Sequence, residues 1–221
     1  MSDSGASSVP EPAASPDAGE AAARLSAAHG WLRFQSTGRP LPRHLTTEVA
    51  DWQAVLLADH REWYGAEAPT QVSGAIVLQY LLQVPAHTAA TAAGAGMRVP
   101  ALCDLTFALG PGGVPRLIEV AAVERSAGDL SERLARAQVD YRALAEPLAR
   151  EYRSTRRMSS QQRLGMVSDI WAEAARMARA GAGRFEVDEA RRISCCLIYA
   201  LPGCVECSGC PRRAVGRRER G

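Results

Sequence analysis

Five of the chain's six cysteines fall between Ser194 and Arg213, in the stretch SCCLIYALPGCVECSGCPRR. Cys195 and Cys196 are adjacent, ten residues separate them from Cys207, and two more separate Cys207 from Cys210. Thiols at this density suit a disulfide knot, a zinc site, an iron–sulfur cluster or a catalytic thiol. The C-x2-C end is a chelating loop whose two thiolates can face one metal, and Gly209 lets the backbone approach the sulfurs. Adjacent cysteines on a regular strand point to opposite faces, so both can ligate only where the backbone turns. Leu201-Pro202-Gly203 supplies a turn that can bring the two pairs together. Four thiolates satisfy zinc or an iron–sulfur cluster. Zinc sites usually use two C-x2–4-C knuckles, whereas a 2Fe–2S cluster offers two irons that each take two thiolates. The spacing therefore leans towards iron–sulfur and leaves zinc open. A catalytic thiol finds no histidine nearby in sequence, the four histidines being His29, His44, His60 and His87.

The rest of the chain must position this segment. Its 221 residues are 47% hydrophobic and 23% charged, enough for one core with an appendage. All 26 basic residues are Arg. Seven of them, against two Glu, lie from Arg191 onward, so the positive charge gathers around the cysteines. Residues 1–20 are rich in Ser, Pro, Ala and acids, lack the apolar region of a signal peptide, and read as a disordered tail. The longest apolar run, Ala75 to Leu82, falls short of the about 20 residues that span a bilayer. A cytoplasmic location, where thiols stay reduced, is the expectation.

Periodicity predicts a mostly helical α+β body over residues 21–190. A short helix is expected from Ala21 to His29, a loop from Trp31 to Pro42, and a helix from Thr46 to about Trp63 with Val49, Trp52, Val55 and Leu56 on one face. A strongly apolar helix opens at Pro69-Thr70, and Pro85 should end or kink it. ALCDLTFAL and VPRLIEVAAV flank Gly110-Pro111-Gly112-Gly113 and predict a β-hairpin. That glycine-rich turn lacks the Lys-Ser/Thr of a phosphate loop. Leu130, Leu134, Ala137, Tyr141, Leu144 and Leu148 then step at helical spacing, with Pro147 dividing them into two helices. Ser159 and Gln162 fit a capping box ahead of a last apolar face through Leu164, Val167, Ile170, Trp171, Ala174 and Met177, with Gly181 and Gly183 as stop signals. Trp52 and Trp171 read as core, Trp31 and Trp63-Tyr64 as candidate pocket residues, His60 and His87 as surface groups, and Cys103 as a small buried hydrophobe.

RRISCCLIYALPGCVECSGCPRR resembles the C-terminal signature of the FhuF-type ferric siderophore reductase family. That family carries C-C-x10-C-x2-C after a basic pair, with an apolar/aromatic run and a Leu-Pro turn between the cysteine pairs. Arg191-Arg192, Leu197-Ile198-Tyr199 and Leu201-Pro202 occupy those places, and Pro211 follows the last cysteine. Weaker similarity runs through VSGAIVLQYLLQ, the hairpin after RVPAL, and DIWAEAARMA. The resemblance implies a 2Fe–2S cluster on Cys195, Cys196, Cys207 and Cys210, carried by a C-terminal segment, residues 191–213, ahead of a basic tail at 214–221. Cys204 falls inside the x10 stretch, where the family requires no thiol, and reads as a spectator.

The implied activity is one-electron reduction of iron held by a siderophore. No dinucleotide fingerprint is visible, so the electron would come from a separate donor, a ferredoxin or flavoprotein. Arg191, Arg192, Arg212 and Arg213 flank the ligands and would offset cluster charge and attract anionic ferric chelates. Two rival classes share the thiols. One is an iron–sulfur binding or sensor protein without reductase turnover. The other is a zinc-stapled nucleic-acid-binding protein using the Arg tail, for which no recognition-helix pattern is present.

Overall fold

The computed structural model describes residues 17–181, 191–207 and 209–214. Most of the expected tail, residues 1–16, lies outside them, as do Gly183, the end of the expected basic tail and its Arg217, Arg218 and Arg220. The first helix, α1, spans Ala18–Ala28, so the tail boundary expected at residue 20 moves back. The reason is local: Asp17 caps the helix, its Oδ1 accepting from the backbone N–H of Gly19 and Glu20.

The body is built around α3, Thr70–Gly94, most of whose residues from Val72 to Ala93 are buried, with Ile76, Gln79 and Tyr80 half-buried. A helix apolar all round belongs at the centre of a bundle. Against it pack α5 (Ser160–Ala180), α4 (Leu130–Glu151), α2 (Ala50–Tyr64) and α1. Small residues allow close approach: a Cβ on Gly94 would lie 3.5 Å from that of Ala178 on α5. Pro85 does not end α3, which runs on through it to Gly94. The helix is enclosed by four others, so breaking it there would expose apolar length on all sides. Pro147 likewise fails to divide α4. It is exposed, and water can satisfy the carbonyl it leaves unbonded.

A four-stranded sheet covers one flank in the order β1-β5-β4-β2, with β1 (Arg33–Gln35) parallel to β5 (Pro115–Glu119), and β4 (Thr106–Leu109) antiparallel to both β5 and β2 (Arg43–His44). The β4–β5 hairpin is the one expected around the Gly-rich turn, and Gly112 and Gly113 hold positive φ there. β1 lies in the stretch read as loop. Three residues are too short for a period-two pattern to be visible. A separate two-stranded ladder pairs β3 (Met97–Arg98) with β6 (Glu124–Arg125). On α2, Trp52 and Leu56 are buried but Val55 is 56% exposed, so the buried face is narrower than expected.

Buried polar side chains lock elements together. Gln53 of α2 donates through Nε2 to Tyr152 Oη (2.9 Å) and to the Arg153 carbonyl, and Tyr152 Oη donates to the Gly74 carbonyl of α3. His60 and His87, expected at the surface, are buried, while Cys103, expected inside, is exposed. His87 lies on α3, where burial is decided by what surrounds the helix. Cys103 sits in a short 3-10 turn ahead of β4. Among the described residues no helix is long and apolar enough to cross a membrane.

Candidate metal centre

Residues 191–214 form no long element. They lie against α5 and α3, held by hydrogen bonds. Arg192 N donates to the Gly209 carbonyl (3.0 Å), which ties the start of the segment to the C-x2-C loop. Leu201–Cys204 forms a turn closed by Cys204 N to the Leu201 carbonyl, with Pro202 leading and Gly203 at φ 76°. Proline then a positive-φ glycine is the type II pattern. This turn reverses the chain between the two cysteine pairs, as the sequence suggested. Cys210 N closes a second turn onto the Cys207 carbonyl (3.0 Å).

The adjacent cysteines are redirected by Leu197, whose φ is 65°, the left-handed region that a branched residue seldom adopts. Its N–H donates to the Cys195 Sγ (3.4 Å). Such strain persists only where surroundings fix it, and it falls here immediately after the C-C pair.

Two of the four thiols meet directly. The Sγ atoms of Cys195 and Cys210 are 3.9 Å apart. The Cys207 thiol is influenced by both Cys196 and Cys210, and Cys195 by Cys196 as well as Cys210. For metal–sulfur bonds of about 2.3 Å in a tetrahedron, sulfurs sit about 3.8 Å apart, so the Cys195–Cys210 pair is spaced as two ligands of one metal. Cys196 and Cys210 are buried, and Cys195 and Cys207 half-buried. Burial, reinforced by the neighbouring Cys210 thiol, pushes the Cys195 thiol up to about 11. Burial and then Cys196 raise Cys207, with Arg192 opposing. Metal binding must therefore displace protons from these thiols. Among the described residues no group of three or more His, Cys, Asp or Glu side chains is gathered closely enough to hold a metal ion. A 2Fe–2S cluster takes four thiolates, and with Cys195 and Cys210 at ligand spacing and Cys196 and Cys207 nearby the residues present fit it.

Cys204 stands apart. It packs against the small apolar cluster of Ala68, Val72 and Leu201. The arginines divide. Arg192 is half-buried, its Nε 3.7 Å from Asp169 Oδ2 and its guanidinium donating to Gln79 Oε1 of α3. Arg212 lies over the Tyr199 ring, 4.2 Å from its centroid. Arg191 and Arg213 are exposed. The Trp63-Tyr64 end of α2 comes near the segment, Tyr64 packing on the Ala68/Val72/Leu201 cluster. Trp31 does not: it packs edge-on to His29 and His87 in the body.

Sequence reasoning missed the residues that hold the segment. Asp169 accepts from the N–H of Ile193 and Ser194, both at 2.8 Å, and from Ser194 Oγ. Gln162 Nε2 donates to the Cys195 carbonyl (3.0 Å). Half of the expected capping box is therefore absent in function: Ser159 Oγ accepts from Gln162 N, while the Gln162 side chain reaches the cysteines. The available signal was an Asp beside buried Ile170 and Trp171, a polar group at the edge of an apolar face.

Residues 192–212 match the family described as the FhuF 2Fe-2S C-terminal domain, about a tenth of the chain. No curated protein and no solved structure matches. The match coincides with the segment that carries the paired thiols, and the domain family it names binds a 2Fe–2S cluster.

Proposed function

We propose that this chain holds its 2Fe–2S cluster on Cys195, Cys196, Cys207 and Cys210 and uses it to reduce ferric siderophores. In this reading Cys195 and Cys210 would hold one iron, leaving Cys196 and Cys207 for the other. The observation that carries the reading is the approach of residues fifteen apart, Cys195 and Cys210, to metal-ligand spacing.

When bound, an all-cysteine cluster supplies single electrons at low potential, near about −400 mV for plant-type centres. Siderophores hold Fe(III) through hard oxygen donors, and Fe(II) binds the same cage far less tightly. One electron passes from an external donor, a ferredoxin or flavoprotein, to the chelated Fe(III), and Fe(II) is released. The chain's own residues shape that transfer. Burial of Cys196 and Cys210 keeps water from two of the four sulfurs. Arg192 offsets thiolate charge from the protein side. Exposed Arg191 and Arg213, with Arg212 on Tyr199, present positive charge that draws anionic chelates. The cytoplasm is the compartment in which such thiols and such a donor are available.

The test begins with iron, sulfide and zinc in anaerobically purified protein. About two irons and two sulfides per chain are expected, with a reducible visible spectrum. Serine at Cys195, Cys196, Cys207 or Cys210 should abolish or badly deplete the cluster while the helical circular dichroism remains. The reduced protein is then mixed with ferric hydroxamate or catecholate under an Fe(II) trap. Reoxidation matched by trapped Fe(II) supports the reductase. A cluster that stays reduced in their presence makes the chain a cluster-binding or sensor protein, and one zinc in a colourless protein overturns the reading altogether.

A further inference from the structure

One face of α5 forms a rail beneath the cysteine segment. Gln162, Gly165 and Asp169 follow at helical spacing, and each meets the backbone or side chains of Ile193–Cys195. Gln162 holds the Cys195 carbonyl. Gly165 makes room: a Cβ there would come within 3.2 Å of Ile193 Cγ2 and Ser194 Cβ. The Asp169 side chain is only 6% exposed and gathers two backbone N–H groups, the Ser194 hydroxyl and the Arg192 guanidinium. One turn further, Glu173 is held protonated to higher pH by burial, against the opposing charge of Arg192 and Arg176.

The placement of Asp169 calls for a reason. A buried carboxylate beside a set of thiolates adds negative charge where charge is already concentrated. Surface segments are fixed more cheaply by apolar contact. What the carboxylate alone provides is a fixed geometry: two oxygens set the N–H groups of consecutive residues, Ile193 and Ser194, immediately before Cys195. Its own position is set by α5, where Met166, Val167, Ile170 and Trp171 are buried in the core.

We propose that Asp169 is the positioning residue of the metal centre, its carboxylate setting the Cys195-Cys196 pair from a rigid helix and biasing the centre towards low potential by its charge. This rests on the cluster reading above but not on reductase turnover. Arg192 extends the same device, since its side chain meets Asp169 while its N–H holds Gly209 of the other cysteine pair.

The test uses the full chain with its cluster assembled, comparing the parent with Asp169→Asn, Asp169→Glu and Ser194→Ala. An asparagine amide would turn an N–H towards donors that need an acceptor. Chelator-driven cluster loss should quicken about tenfold or more in Asp169→Asn, as for other partners that orient metal ligands. The midpoint potential of the retained cluster should shift upward and its reduced-state EPR spectrum should change. Asp169→Glu, which restores the charge, should recover most of the potential. If Asp169→Asn fails to fold, Ser194→Ala removes a single donor and should quicken cluster loss and alter the EPR in the same direction. Unchanged loss rate, potential and EPR in a cluster-bearing Asp169→Asn, or in Ser194→Ala, overturns the proposal. A parent chain without iron and sulfide overturns it together with the cluster reading, whereas a cluster-bearing parent that reduces no siderophore leaves it standing.

Discussion

Around α3 order comes from solvent exclusion: Val72 to Ala93 is enclosed by four helices, and the polar side chains inside, such as Gln53 and Tyr152, are bonded in pairs. Along residues 191–214 the apolar contribution is small. Leu201, Cys196 and Cys210 are its buried apolar members, and the seam to the body is a small cluster in which Ala68 and Val72 are joined by partly buried Tyr64 and Ile76. Directional bonds from Asp169, Gln162 and Gln79 do the holding instead. The contrast sets a body ordered by apolar packing beside a segment held by directional bonds, to whose rigidity metal binding would add. It also explains why α5 carries two unlike faces, one packed into the core and one bonded to the segment.

The sharpest way to separate the two regions is to weaken one and watch the other. Phe107 of β4 is 1% exposed and packs 5.7 Å from the Trp52 ring in the main core. Phe107→Ala should cost about 3–5 kcal/mol and lower the melting temperature of the helical signal by roughly 6 °C or more. Iron per folded chain at low temperature should not change. Cluster loss in a fully helical variant would break the comparison, because the segment would then depend on core packing around Trp52 and Phe107.

A smaller effect should follow acidification. His29 Nδ1 accepts from the N–H of Leu32 (2.9 Å) and Trp31, so its Nε2–H faces His87 Nδ1 at 3.1 Å. Both rings are thereby neutral, and His87 Nε2 is buried without a partner. Burial, then the Arg33 charge, lowers His29 to about 4, and burial, then His29, lowers His87 to about 3. Their unfolded values lie near 6.5, so the unfolded chain takes up protons first as pH falls. Stability is full above about 6.5 and lost below it, by up to about 1.4 kcal/mol per histidine for each pH unit. Denaturant melts of the helical signal from pH 7 to 5 measure this, and His87→Leu should flatten the slope. A slope unchanged by that variant would place the acid sensitivity elsewhere.

How legible each region was follows from the same contrast. The Pro-Gly turn between the cysteine pairs was readable, because a tight turn is encoded by adjacent residues, and the family match falls on the segment that the cysteine spacing picks out. The β4–β5 hairpin was readable from the Gly-rich turn. What escaped was set by distant partners. Pro85 looks like a helix breaker until α3 is seen enclosed by four other helices, and Pro147 until its freed carbonyl is seen facing water. Gln162 satisfies the cap pattern, but its amide serves Cys195, thirty-three residues later. Asp169 lies inside DIWAEAARMA, a stretch the family resemblance singles out, yet its role depends on a segment that nothing in its neighbourhood announces.

Cys204 tests the boundary itself, because it belongs to the cysteine segment by sequence and to the apolar seam by contact. It sits three residues before Cys207, at chelating spacing, so sequence alone permits a ligand exchange. Its packing against Ala68, Val72 and Leu201 gives the thiol an apolar surrounding, where it acts as a small hydrophobe. Cys204→Ser should keep iron, sulfide and the EPR spectrum of the parent and cost less than about 1 kcal/mol in thermal stability, since the site is only half-buried. Iron analysis beside a thermal melt decides the matter. A colourless Cys204→Ser protein with an intact helical signal would move this thiol into the metal region, and the apolar seam would then be an arrangement the chain leaves when the cluster binds.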